Sequence, residues 1–244
     1  PNHAGDQMNG YILKPTNFDP SKRYPVVMTQ YSGPGSQSVL DKWTIDWEYY
    51  LVSKGFIVAC VDGRGTGGRS RAYETSVYMQ LGKLETEDQV AGAEYMRTLP
   101  YVDDKHIGIY GWSYGGYETL MAMSTSNGTY QAGVAIAPVT DWRYYDTIYA
   151  ERFMRTPNEN NEGYEQSAPI THAEKLKGDL LIISGTADDN VHYLNTLQYS
   201  AALIEAGIQF DTQIYTNKDH HIRGCNTRHH LYTKVCNFFL DKLK

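Results

Sequence analysis

Short apolar runs alternate with amphipathic segments along most of the chain. YPVVMTQY (24–31), GFIVACVD (55–62), HIGIYGW (106–112), AGVAIAP (132–138) and DLLIISG (179–185) are rich in β-branched and apolar residues and predict buried strands. FDTQIYT (210–216) is more polar and predicts a strand near an edge. Helical spacing marks 43–55, 85–99, 119–126, 193–207 and the closing 227–244. The first four end at or near Gly, Pro or a polar turn, as helix stops do. The stretch RTPNENNEGYEQSAP (155–169) follows neither period and predicts a long surface loop. This alternation predicts an α/β fold whose central sheet is mostly parallel, with helices on both faces.

Composition narrows the function classes. A chain of 244 residues, 41% hydrophobic, suits one large domain spanning 1–244. The net charge is −6 and no basic block occurs, which argues against nucleic acid or an anionic membrane surface as partner. No apolar run approaches the roughly 18 residues of a membrane span. Three cysteines are too few for a disulfide framework, and Cys60, in a strand, reads as a small core hydrophobe. Neither H-E-x-x-H nor a paired C-x-x-C occurs, so no metal site is expected. Gly63 to Gly68 contains G-x-G-x-x-G after a strand, but no apolar helix follows until about residue 85, so it does not read as a dinucleotide fingerprint. Asn127-Gly128-Thr129 is a glycosylation sequon that carries weight only in a secreted eukaryotic protein.

Candidate chemistry begins at IGIYGWSYGGYETLMAM (107–123), where a strand ends in Gly-Trp-Ser-Tyr-Gly and a helix follows. Strand, G-x-S-x-G and helix together form the turn that lifts a serine above the sheet, with its hydroxyl at a helix N-terminus where negative charge is favoured. Ser113 is therefore the candidate nucleophile. A serine hydroxyl needs a base, and the base an orienting carboxylate, in the chain order Ser, acid, His. DLLIISG runs into Thr186-Ala187-Asp188-Asp189-Asn190-Val191-His192, and FDTQIYT into Asn217-Lys218-Asp219-His220-His221. Acid and histidine thus both arrive on loops after later strands. His3 and His106 precede the serine, His172 precedes the acid, His192 opens a helix, and His229 and His230 lie on the last helix. Spacing leaves two choices open, Asp188 or Asp189 and His220 or His221.

At these residues the sequence resembles the prolyl oligopeptidase family of serine peptidases, close to its dipeptidyl peptidase IV branch. The resemblance extends from Tyr11 to the end and rests on YSGPGSQ (31–37), VDGRGTGG (61–68), GWSYGGY (111–117), APVTDWRYYDTIYAERFM (137–154) and GTADDNVH (185–192). It implies Asp188 as the acid, with a structural hydrogen-bonding role for Asp189, and His220 as the base. His221 stands where relatives carry a small residue. The expected oxyanion donors are the backbone N–H of Tyr114, the residue after the nucleophile, and, by resemblance, the phenol of Tyr31. The resemblance also implies that Tyr114, Val139, Trp142, Tyr145, Tyr149 and Val191 line the pocket for the residue before the scissile bond. It implies too that Asn190 binds the substrate carbonyl one residue further back, and that the glycine-rich loop at 63–68 supports the site.

The implied activity is an acyl-enzyme peptidase without cofactor, releasing N-terminal dipeptides that end in proline or alanine. The alternatives are an acylaminoacyl peptidase or esterase of the same α/β-hydrolase fold, or a non-catalytic interaction module. The resemblance further implies a C-terminal domain of a longer chain with an N-terminal β-propeller, a homodimer, and export from the cytoplasm.

Overall fold

The apolar runs form one seven-stranded sheet in this computed structural model, which describes all 244 residues. Its strands are β1 (Asn9–Leu13), β2 (Tyr24–Thr29), β3 (Ile57–Asp62), β4 (Val102–Trp112), β5 (Ala132–Ile136), β6 (Asp179–Gly185) and β7 (Asp211–Tyr215). They lie in the order β1-β3-β2-β4-β5-β6-β7. Only β1 is antiparallel to its neighbour; every other pairing is parallel. The helices are α1 (Glu48–Ser53), α2 (Arg71–Thr75), α3 (Lys83–Thr98), α4 (Tyr114–Thr125), α5 (Thr147–Met154), α6 (Asn161–Gln166), α7 (Leu194–Glu205) and α8 (Thr227–Lys242).

Continuous apolar strands need cover on both faces. In β6, Leu180 and Ile182 enter one core with Met96 of α3, Leu120 and Met123 of α4 and Leu203 of α7. Leu181 and Ile183 enter the opposite core with Leu51 of α1 and Leu231, Val235 and Phe239 of α8. FDTQIYT does form an edge strand, pairing only with β6.

Four expectations need correction. Strand β1 was not foreseen: NGYIL is short and ends on a proline loop, and it is a strand because Asn9–Leu13 pair with Val58–Asp62 of β3. The helix expected at 43–55 begins only at Glu48; Trp43 and Ile45 are 81% and 70% exposed and meet no core that would hold a helical turn. Helix α4 starts at Tyr114 rather than 119, directly after the turn serine. The supposed loop at 155–169 contains α6, anchored by buried Tyr164, whose hydroxyl donates to the Arg155 carbonyl at 2.7 Å, and a 3-10 segment starts at Pro169.

Candidate active site

Three loops leave the carboxyl ends of β4, β6 and β7 and carry Ser113, Asp188 and His220 to one place. At Ser113 the chain turns from β4 into α4 with φ 61° and ψ −116°, a left-handed conformation strained for a side chain with a Cβ. The flanking glycines make that turn sterically accessible. A Cβ on Gly115 would sit 2.5 Å from the Gln30 carbonyl oxygen, and one on Gly111 would overlap the Gly115 carbonyl. The Ser113 N–H donates to the Ile136 carbonyl at 2.8 Å, and buried Gln30 Nε2 donates to the Gly115 carbonyl at 2.8 Å, so neighbours on both sides hold the strained turn.

Ser113 Oγ lies 2.9 Å from His220 Nε2, and His220 Nδ1 lies 2.7 Å from Asp188 Oδ2. The second oxygen of Asp188 accepts the backbone N–H groups of Asn190 at 3.0 Å and Val191 at 2.9 Å, which aims the carboxylate at the ring. Both side chains are nearly dry, 1% exposed for Asp188 and 8% for His220. The loops are tied together as well, since the Ala187 N–H donates to the Lys218 carbonyl at 3.0 Å and Trp112 Nε1 to the His220 carbonyl at 3.0 Å. His221 instead turns to solvent, its ring edge-on to that of His220 at 5.8 Å. Asp189 is exposed and makes no side-chain hydrogen bond or ion pair, so the structural role expected for it is absent.

Two donor positions adjoin Ser113. Tyr114 is the first residue of α4, so its amide precedes any intrahelical acceptor; the first amide of the run to bond back is that of Tyr117, to Ser113 O at 2.9 Å. Tyr31 follows β2, and its hydroxyl comes within reach of the Ser113 side chain. Burial raises the Tyr31 pKa, and the interaction with Ser113 opposes part of that rise, so the phenol keeps its proton and can donate. The Tyr31 loop rests on the glycine-rich loop, with Gly35 N–H on the Gly65 carbonyl and Gly67 N–H on the Ser36 carbonyl, each at 2.8 Å. Arg64 anchors the latter loop through a two-pronged pair with fully buried Asp88, at 2.7 and 3.0 Å. These contacts tie the two loops to each other and to α3.

Beside Ser113 lies a small cavity of about 30 Å³ walled by Tyr31, Tyr114, Val139, Trp142, Tyr145 and Tyr149. The rings brace one another: Tyr149 stacks on Trp142 at 5.8 Å, and Tyr145 meets both edge-on at 5.9 and 5.3 Å. Desolvation raises the Tyr145 pKa to about 12 and that of Tyr149 further, so all the walls are neutral at pH 7. Val191, expected on the wall, is buried in the same apolar cluster and does not line this cavity. Asn190 sits at the rim, where its Oδ1 accepts the Tyr145 hydroxyl at 2.7 Å. Larger hollows of about 510 and 550 Å³ lie by α6 and by β1, and neither is lined by Ser113, Asp188 or His220.

Several supporting residues escaped the sequence reading. Gln30 and Asn195 are buried amides that hold backbone near the site, Asn195 Oδ1 accepting the Thr140 N–H at 2.9 Å. Glu85, in the first turn of α3, accepts the Tyr114 hydroxyl at 2.8 Å. Nothing in the local pattern singles these out; the acidic run around Glu85 looks like an ordinary solvated helix face.

Strand order, parallel pairing and a nucleophile turn between β4 and α4 define an α/β-hydrolase fold. The chain belongs to the prolyl oligopeptidase family, whose pattern matches residues 43–244. It is 41% identical to dipeptidyl peptidase 4 of Sus scrofa over 93% of its length, covering 30% of that protein. It is also 41% identical to a probable dipeptidyl-aminopeptidase B of Metarhizium robertsii over 97% of its length, covering 26% of it. The crystal structure of Porphyromonas gingivalis dipeptidyl peptidase 4 superposes with a TM-score of 0.98 at 55% identity, covering 99% of this chain and 34% of that one. The chain thus spans about a quarter to a third of the relatives it matches.

Proposed function

We propose that this chain is the hydrolase domain of a serine dipeptidyl peptidase that removes N-terminal dipeptides ending in proline or alanine. The observation that carries the reading is the unbroken hydrogen-bonded line from Asp188 through His220 to Ser113 beside a ring-walled cavity. Ser113 attacks the scissile carbonyl. His220 takes the proton through Nε2 and returns it to the leaving amine, while Asp188 fixes the tautomer and stabilises the imidazolium. The Tyr114 amide and the Tyr31 hydroxyl donate to the oxyanion, each contributing about 10²–10³ in rate. Water then releases the acyl group from Ser113. A flat, stiff pyrrolidine ring, or a methyl group, suits a slot walled by four tyrosines, a tryptophan and a valine. Asn190, at the rim, binds the carbonyl of the preceding residue, and Val191 packs in the apolar cluster that includes Tyr114, Val139 and Trp142.

In the same proposal a β-propeller domain preceding the hydrolase domain binds the free substrate amine, two copies associate, and the protein is exported. The resemblance to dipeptidyl peptidases, and their greater length, support this reading. The test uses the full-length protein and two peptides beginning Gly-Pro, one with a free amine and one acetylated, with product masses read by mass spectrometry. Release of Gly-Pro from the free peptide alone is expected. Cleavage of both would favour an endopeptidase or acyl-peptidase, and cleavage of neither would remove the reading.

A further inference from the structure

Helix α3 meets the start of α4 through its first turn. Two contacts from that turn, and a third from Leu81 just before the helix, reach the start of α4. The Tyr114 hydroxyl donates to Glu85 Oε1 at 2.8 Å, the Tyr117 hydroxyl to the Leu81 carbonyl at 2.9 Å, and Thr86 Oγ1 to Glu118 Oε1 at 2.8 Å. Tyr114 is the residue on which two proposed functions meet, since its amide faces the oxyanion and its ring walls the cavity. Its only polar side-chain atom is fixed by Glu85.

Glu85 is an unusual group to spend on packing. It is 1% exposed and pairs with no cation. Its Oε2 has no hydrogen-bond partner, and neither has Oε2 of fully buried Glu118, one helical turn along α4 from Tyr114. Burial pushes the Glu85 carboxyl up to about 7, against the opposing pull of the helix N-terminal amides and the Tyr114 hydroxyl. A glutamate at the third position of a helix often serves the N-terminal amides alone, and an exposed side chain would suffice for that. Burying an acid beneath an aromatic ring costs stability, and a leucine there would not. What leucine could not supply is an acceptor for the phenol.

We propose that Glu85 is a positioning residue of the reaction: acting through the Tyr114 hydroxyl, it sets the placement of the residue that supplies both the oxyanion amide and a wall of the specificity cavity. The inference rests on the proposed roles of Tyr114. A tilt of the ring would move the first turn of α4, and misplacement of about 1 Å at such a donor costs on the order of 10²-fold.

The test uses the full-length protein with Glu85→Gln, Glu85→Leu, Tyr114→Phe and the Glu85→Leu/Tyr114→Phe double variant. Two rates are read: kcat for a Gly-Pro amide, with its KM, and the rate of fluorophosphonate labelling of Ser113, which needs the oxyanion donors but no dipeptide. Glutamine keeps an acceptor for the phenol, so E85Q is expected within about threefold of wild type in both rates. E85L and Y114F are each expected to lose at least about tenfold in kcat and in labelling, and the double variant no more than the worse single one. Wild-type rates in E85L, equal losses in E85Q and E85L, or multiplying losses in the double variant would each overturn the inference. If E85L does not fold, Y114F at wild-type rates overturns it and Y114F slowed beside an active E85Q supports it. A wild-type protein that labels but does not cleave Gly-Pro would sink the substrate reading and leave the labelling series to decide on Glu85.

Discussion

His220 Nδ1 lies 2.7 Å from Asp188 Oδ2, and the two residues reach each other from the exits of adjacent parallel strands, β7 and β6. Ala187 and Lys218 share a backbone hydrogen bond one residue before Asp188 and two before His220, so the pairing is built on the sheet rather than on the side chains alone. A rigid base of this kind is what preorganised proton transfer requires.

Asp188→Asn is expected to keep the fold and lower kcat by about 10⁴, because the amide can hold the ring in the wrong tautomer. Steady-state rates on a Gly-Pro amide check this. A loss under tenfold would mean that Asp188 does not orient the base.

His221→Ala tests the choice between adjacent histidines. Its ring is exposed and makes only an edge contact with His220. Activity within about twofold of wild type is expected, in line with the small effects of surface substitutions, whereas His220→Ala should abolish turnover. The opposite result would reassign the base.

Tyr31→Phe removes a hydroxyl that lies within reach of Ser113 while leaving the ring in the cavity wall. The expected loss is about 10²–10³ in kcat with little change in KM, since the donor acts on charge that develops only in the transition state. A rise in KM at constant kcat would instead make Tyr31 a binding residue.

Val139→Phe would fill a cavity of only about 30 Å³. Cleavage after proline should fall by at least about 10², and cleavage after glycine by much less, because glycine has no side chain to place there. Equal losses on Gly-Pro and Gly-Gly amides would show that the cavity does not read this residue.

Glu118 gives a pH dependence of stability. Its carboxyl is held well above the ordinary 4.5, first by burial and then by the charge of Glu85, with Asp88 adding to the rise and the Thr86 hydroxyl opposing it. The folded state therefore retains a proton that the unfolded chain loses. Stability is full below pH 4.5 and declines as pH rises toward the folded value. Glu118→Gln removes that decline. Its melting temperature should exceed that of wild type at pH 8, by roughly 2–4 °C per kcal/mol of penalty removed, and by less at pH 5. The same difference at both pH values would show that Glu118 does not ionise in this window.

Much of the sheet was legible because a buried parallel strand must be apolar at consecutive positions, and five such runs stand out. Strand β1 was not legible, since NGYIL is a strand only through its pairing with β3. The serine turn announces itself by strand, glycines and helix. Its acid and base do not separate from their neighbours by spacing, because adjacent residues on one loop can face opposite ways. Asp188 is buried and Asp189 exposed for that reason, and only the loop dihedrals decide it. Val191, placed on the pocket wall by resemblance, is buried in the neighbouring apolar cluster without lining the cavity. Glu85 was invisible because its role depends on a phenol 29 positions away in the chain.

In the proposed mechanism Ser113 is a nucleophile activated by His220 and Asp188. The most direct measurement labels the full-length protein with a fluorophosphonate, maps the adduct by peptide mass, and follows the labelling rate in wild type, Asp188→Asn and His220→Ala. A single adduct on Ser113, formed at least about 10²-fold more slowly in both variants, is the expected result. An adduct on another residue, or equal rates in all three proteins, would contradict it.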